Sequence, residues 1–105
     1  MLNTMVLVGT LIEMPEIKET SLGNKLCTLK LSVPRCFPNS NGEYEVDIFP
    51  VTLWRGIAES TAEHCRVGAV LGIKGRMQGR ELQNKEGHTY PVLELVAEKV
   101  TFITP

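Results

Sequence analysis

One ten-residue stretch, residues 46–55, constrains the fold of this chain more than any other part of the sequence. Successive side chains of a β-strand point to opposite faces, so alternate residues of the stretch share a face. One face carries Phe49, Val51 and Leu53, and the other carries Ile48, Pro50, Thr52 and Trp54. Both faces are largely apolar, whereas a strand with one wet side alternates apolar with polar residues. The second face must therefore be covered, or it is itself a contact surface.

Four further segments have the pattern of β-strands, and one has the spacing of a helix. Apolar residues from Cys27 to Val33 alternate with Thr28, Lys30 and Ser32, which predicts a strand with one core face that Pro34 ends. The predicted strands are 5–12, 27–33, 44–54, 68–82 and 90–103. The predicted helix carries one stripe formed by Ile57, Ala58, Thr61, Ala62 and Cys65, and Val67-Gly68 closes it.

This order of elements predicts an all-β protein. Glycines interrupt the first and fourth predicted strands, where a barrel strand bends or another backbone comes close. The expected fold is a five-stranded antiparallel Greek-key barrel of the OB type, with one short helix between strands 3 and 4. We expect residues 1–105 to form a single domain.

Composition limits the classes of partner. Eleven basic and twelve acidic residues give a net charge of −1, so a polyanion would need a local basic patch. Cys27, Cys36 and Cys65 are widely spaced without a CxxC pair, which argues against a disulfide framework or zinc site and favours a reducing compartment. The sequence shows neither a membrane span nor a signal peptide. We therefore expect a cytoplasmic protein with no membrane contact, no cofactor and no metal.

Trp54 and Arg55 form the pair with the clearest binding potential. A large π-face beside a guanidinium suits base stacking and phosphate pairing, although a Trp can equally pack against its own domain. Phe37 lies in a polar connector, where it is either a hydrophobic plug or a residue held out for a ligand.

Basic residues are concentrated in the fourth predicted strand. Lys74, Arg76 and Arg80 occupy even positions, so all three can lie on one side of that strand. The alternative interpretation is an ordinary solvated strand face. Lys30 also points outward, from the second predicted strand.

Catalytic and metal-binding interpretations are weak. Glu43, Glu45 and Asp47 alternate at a strand start, but nothing else supplies metal ligands at a recognisable spacing, so we expect a solvated edge. Ser60 and His64 lack a nucleophile elbow, and the glycines of the fourth strand form no phosphate-binding motif. We expect a protein that is not an enzyme.

The sequence resembles the bacterial single-stranded DNA-binding protein family over nearly its whole length. The similar segments, in order, are Asn3 with 6–11, Pro15-Glu16, Thr20, Gly23, 32–37, 47–51 with Trp54, Ala58-Glu59, Gly68, Gly75-Arg76, Arg80, Gly87, Glu94 and Ala97. Each motif is weak alone, and their collinear order is strong. Thr10 departs from the family, in which Arg or Asn is more usual.

The resemblance implies that bases stack at Phe37, Ile48, Trp54 and Leu82. Two of these are aliphatic, so the stacking surface is poorer than usual. Together with the residue patterns, the resemblance implies that the protein binds single-stranded DNA of any sequence in replication, recombination and repair. Phosphates would pair with Arg35, Arg55, Lys74, Arg76 and Arg80. In the family, an acidic C-terminal tail recruits repair and replication enzymes, and this sequence stops at Thr104-Pro105 without one. Either the tail was removed, or the protein binds DNA without recruiting partners through a tail.

The sequence leaves two other functions open. A primosomal accessory protein of the same fold would act as a dimeric bridge between replication proteins. An assembly module would use its apolar faces only to build an oligomer. The first predicted strand is apolar on both faces, so we expect a symmetric homo-oligomer. The resemblance implies a tetramer, with a dimer as the alternative.

Overall fold

The order of strands and helix in the structure follows the sequence prediction, with one small addition. A computed structural model describes residues 1–104. Its elements are β1 (Met5–Leu11), β2 (Lys18–Glu19), β3 (Lys25–Pro34), β4 (Val46–Trp54), α1 (Arg55–His64), β5 (Val70–Gln83) and β6 (Thr89–Phe102). The two-residue β2 was not predicted, because two exposed residues carry no periodicity. It pairs with β3 across a turn in which Thr20 N donates to Asn24 O at 2.8 Å.

Two predicted boundaries were wrong. The third strand was expected to begin at Tyr44, but the side chain of Asn39 accepts hydrogen bonds from the amides of Asn41 and Glu43 and holds this segment as a loop. The helix was expected to close at Val67-Gly68, yet it ends at His64. Cys65 has extended backbone angles, and its amide donates to Thr61 O at 2.9 Å.

Five of the strands close into a ring. Neighbours around it are β1, β5, β6, β4 and β3, and β3 returns to β1 at Thr10 and Leu11. All pairings are antiparallel except that of β4 with β6, which is parallel and joins Val51 to Leu95 and Thr52 to Val96. The all-antiparallel expectation fails at this pairing, because the connection through α1 and β5 returns β6 beside β4 in the same direction. The five-stranded OB-type barrel itself is confirmed.

The interior of the ring is filled by aliphatic side chains at the predicted positions. Val51 and Leu53 of β4 are fully buried, as are Leu29 and Leu31 of β3. Helix α1 covers part of this core with Ala58 and Thr61. Because Trp54 is outside this core, the outward side of β4 predicted from its alternation is confirmed.

A β-bulge breaks the long β5–β6 ladder next to Gly75. Lys74 pairs with Lys99 and Gly75 with Ala97, so Glu98 is the extra residue in β6. A side chain on Gly75 would collide with the carbonyl oxygen of Val96. The prediction that strand glycines mark bends and close approaches is correct at this position, since only glycine lets the two strands meet at the bulge.

We expect Gly75→Ala to lower the stability of the fold by about 1–3 kcal/mol, because the strands must separate to admit the methyl group. Gly79→Ala is the matched control: Gly79 lies on the same strand, and a Cβ there meets nothing within 4 Å. Urea denaturation of both variants measures the difference. Equal stability of the two variants would contradict the proposed packing at the bulge.

Candidate nucleic-acid interface

Even-numbered side chains of four strands share one side of the barrel wall, which we call the outer face. It comprises the even-numbered residues 26–32 of β3, 48–54 of β4, 76–82 of β5 and 90–96 of β6. The register joins these strands, because Leu26 lies opposite Trp54, and Val96 lies between Thr52 and Arg76. The outer face is therefore continuous across the β4–β6 pairing.

Trp54 lies on this face at the end of β4 and is 36% exposed. It borders an open cavity of about 380 Å³, lined by Asn24, Trp54, Arg55, Ile57, Arg76, Gln78, Val96 and Ala97. An indole half-open to solvent is not the buried core Trp of the alternative interpretation. Its position leaves part of the ring available for a stacked base.

Arg55 reaches the same cavity through an unusual backbone turn. Trp54 ends β4 with an extended φ of −116°, and Arg55 begins α1 with a φ of +53°. A residue with a Cβ is disfavoured in this left-handed region, and such residues are found preferentially at functional sites. The turn changes the chain direction between strand and helix, so that both side chains line one cavity.

The basic residues predicted on β5 do share one side of the strand, but they do not form one cluster. Arg76 lines the cavity beside Trp54. Lys74 lies opposite Lys99 and borders a different concavity with Val6, and Arg80 lies farther out on the β5–β6 hairpin. Only Arg76 is therefore brought together with Trp54 and Arg55.

The apolar candidates are spread along the outer face. Ile48 is 47% exposed and lies six residues before Trp54, about 20 Å along β4. Leu82 lies on the hairpin, 37% exposed. Phe37 is 83% exposed in the connection between β3 and β4, so it is not a hydrophobic plug. The alternative, that it is held out for a ligand, remains a prediction.

Sequence reasoning missed Tyr90. Its ring is 44% exposed and lies directly opposite Leu82 on the outer face. A signal was present, since the polar hairpin loop sets the register in which Gln83 pairs with Thr89 and Leu82 with Tyr90. The hairpin thus carries an aromatic ring beside the predicted aliphatic position.

Arg35 is held by two carboxylates. Its Nε and Nη2 donate to Asp47 at 3.1 and 2.9 Å, and Nη1 donates to Glu45 at 2.7 Å. The hydrogen bond from Arg35 lowers the pKa of Asp47 below its ordinary value. A phosphate reaching Arg35 must displace these carboxylates. Within residues 1–104, no group of three His, Cys, Asp or Glu side chains could hold a metal ion.

Lys30 points outward from β3, as its alternation predicted. Its Nζ lies 3.0 Å from Glu13 Oε1. Lys30 is opposite Pro50 of β4, so it lies on the same face as Ile48 and Trp54. Of the predicted cations, Lys30 and Arg35 are both already paired with acidic groups.

The sequence of this barrel matches a known family. A model of the Single-strand binding protein family matches residues 2–103. The chain belongs to the single-strand binding protein family. The chain is 41% identical to Single-stranded DNA-binding protein B of Bacillus subtilis over 105 residues. The match covers all of this chain and 93% of that protein.

Longer members of the single-strand binding protein family match at similar identity. Single-stranded DNA-binding protein 2 of Listeria monocytogenes is 39% identical, and the match spans 66% of it. Single-stranded DNA-binding protein A of Bacillus subtilis is 40% identical, and the match spans 61% of it. The described part of this family member, residues 1–104, includes no helix with the length and apolarity needed to cross a membrane.

We expect an NMR pH titration to give Asp47 a pKa below 3.8, its ordinary value, because Arg35 stabilises the carboxylate. A lowered pKa means that the pair stabilises the fold above the ordinary pKa and that this contribution is lost as the pH falls through the lowered value. Since the side chains are exposed, added salt should reduce the shift.

Two variants that change the net charge equally test whether the contact with Arg35 lowers the pKa of Asp47. Arg35→Gln should return the pKa of Asp47 toward its ordinary value, and Arg66→Gln, in the connection after α1, should leave it lowered. An equal response to the two substitutions would mean that overall charge, rather than the Arg35 contact, sets the pKa.

Proposed function

We propose that this protein binds single-stranded DNA without sequence preference and without catalysing a reaction. One observation carries the proposal: Trp54, Arg55 and Arg76 border the same open cavity on a continuous strand face. An aromatic ring provides a platform for any base, and the two guanidinium groups suit the phosphates on either side of it. The names of the relatives, all single-stranded DNA-binding proteins, support the same function.

Further contacts would extend from this cavity in two directions. Ile48 and Lys30 lie along β3 and β4, and Leu82, Tyr90 and Arg80 lie along the β5–β6 hairpin. Apolar and aromatic groups alternate there with cations, which is the combination that non-specific single-strand binding uses. Further DNA contacts at the edges of the outer face would come from Phe37, Arg35 and Lys74. Arg35 would first exchange its carboxylate partners for a phosphate.

The primosomal alternative is not favoured. The small number of aromatic stacking residues kept this alternative open, and the outer face carries Tyr90 in addition to Trp54. The relatives are named for single-stranded DNA. Roles in replication, recombination and repair, replication-protein partners and a cytoplasmic location remain proposals that follow from this binding function.

We propose that the protein forms a symmetric homo-oligomer through β1. Val6 and Val8 are 69% and 50% exposed on one side of β1. Residues 5–9 pair only with β5, so their other backbone edge is open within the described chain. A second copy pairing along this edge across a two-fold axis would cover both features, and a tetramer would use a further contact between such dimers.

Oligothymidine should quench the fluorescence of Trp54, the only tryptophan. Stacking is worth about 1–3 kcal/mol per base, so Trp54→Ala should weaken binding by roughly ten- to a hundredfold. Trp54→Phe, the matched control, should retain most of the affinity for a labelled oligonucleotide. Because the ring is partly exposed, the melting temperature should change little. Unchanged emission at saturating oligothymidine would withdraw Trp54 from the site.

Light scattering at micromolar concentration should give a multiple of the 11.7 kDa chain mass. A double substitution, Val6→Glu and Val8→Glu, should lower the mass, because it places charges on the apolar side of β1. Leu22→Glu is the control, since Leu22 is 87% exposed in the turn between β2 and β3. A monomer mass for the unsubstituted protein would refute the oligomer.

A further inference from the structure

Two carboxylates lie against arginines that the proposed function assigns to phosphate. Glu98 Oε2 lies 3.6 Å from Arg76 Nη1, and Glu94 Oε2 lies 3.5 Å from Arg80 Nε. Arg76 borders the Trp54 cavity, and Arg80 follows it along the outer face. Within the free protein, both guanidinium groups therefore already face a negative charge.

The two carboxylates differ in their freedom to leave. The side chain of Glu98 is 49% exposed, and it occupies the extra position of the β-bulge beside Arg76. The side chain of Glu94 is only 12% exposed, opposite Gln78 in the ladder. Glu98 can turn toward solvent when another anion arrives. Because the side chain of Glu94 is mostly shielded from solvent, we expect it to stay beside Arg80.

Exposed ion pairs of this kind add little to stability and open readily. A phosphate that takes the guanidinium is nevertheless left near the displaced carboxylate, which repels it. The displaced carboxylate also attracts a cation from solution, and this offsets part of the counterion release that accompanies phosphate binding. Both effects lower the electrostatic share of binding without touching base stacking.

We infer that Glu94 and Glu98 set the affinity of the outer face by competing with DNA phosphates for Arg80 and Arg76. The inference rests on the proposed function and deepens it. Binding on this face then depends mainly on bases stacked at Trp54, and a polyanion without bases gains little from the arginines. The carboxylates thus lower the affinity for phosphates by the same factor whether or not the strand carries bases.

Cations at the edges of the outer face are also paired with carboxylates, which supports the same competition between carboxylate and phosphate there. Lys30 is paired with Glu13, and Arg35 with Glu45 and Asp47. Among the candidate cations in residues 1–104, Arg55 and Lys74 are the two without a carboxylate within 4.0 Å. Arg55 is thus the cation beside Trp54 that is directly available to a phosphate.

The test compares Glu94→Gln, Glu98→Gln and the double variant with the unsubstituted protein. Affinity is measured over a range of salt concentrations for labelled oligothymidine and for an abasic oligonucleotide of the same length, which has phosphates but no bases. Glu59→Gln is the matched control, because Glu59 of α1 pairs with Lys25 of β3 at 3.5 Å and with neither Arg76 nor Arg80. Melting temperatures show whether each variant is folded.

We expect each outer-face substitution to tighten binding at low salt by about fivefold, with the larger gain for Glu94→Gln. The log–log salt dependence should steepen by about 0.7 for each arginine released. The abasic oligonucleotide should show the same gains, since the carboxylates oppose phosphate rather than base. Glu59→Gln should change none of these quantities.

Several results would overturn the inference. Unchanged affinity in the double variant would mean that the two carboxylates do not compete with phosphate. An equal gain in Glu59→Gln would mean that only net charge matters. A gain confined to oligothymidine would mean that the carboxylates act on stacking. If Glu94→Gln fails to fold, the Glu98→Gln variant, which releases Arg76, tests the inference by itself. Absence of oligothymidine binding by the unsubstituted protein would instead refute the proposed function itself.

Discussion

The parallel pairing of β4 with β6 is the interaction on which the rest of this structure depends. It covers only Val51–Leu95 and Thr52–Val96, yet without it β1 would be the only strand that joins the β3–β4 pair to the β5–β6 hairpin. It also makes the outward sides of the β3–β4 pair and the β5–β6 hairpin one continuous face. Because Val96 lies between Thr52 and Arg76, closure brings an arginine of β5 beside the tryptophan that ends β4. The same two residue pairs thus contribute both to the barrel and to the candidate interface.

Two backbone irregularities lie beside the candidate interface. Arg55 adopts a left-handed conformation at the junction of β4 and α1, and the bulge at Glu98 interrupts the ladder beside Arg76. Both irregularities border the Trp54 cavity. Regular strands would continue past this point without turning Arg55 toward the cavity or setting Glu98 against Arg76, so the local departures from regularity determine which charges meet there.

The electrostatics of the face follow from a nearly neutral chain. With eleven basic and twelve acidic residues, the protein has no overall attraction for a polyanion, and most candidate cations have an acidic neighbour. A stacking platform is then the larger source of binding free energy, because each base contributes about 1–3 kcal/mol whereas an exposed ion pair contributes at most about 1 kcal/mol. The single tryptophan therefore has a greater share of the proposed function than the number of arginines suggests.

The sequence by itself determined the strands, their inward and outward faces and the position of the helix, because each of these depends on a spacing of two to four residues along the chain. That local periodicity was enough to place Trp54 and Ile48 on one outward side of β4. Only the tertiary structure decided which residues from different strands meet, since strand register depends on closure between segments far apart in sequence. It separated Lys74 from Trp54, placed Tyr90 beside Leu82, and set Glu94 and Glu98 against arginines that the sequence had presented as free.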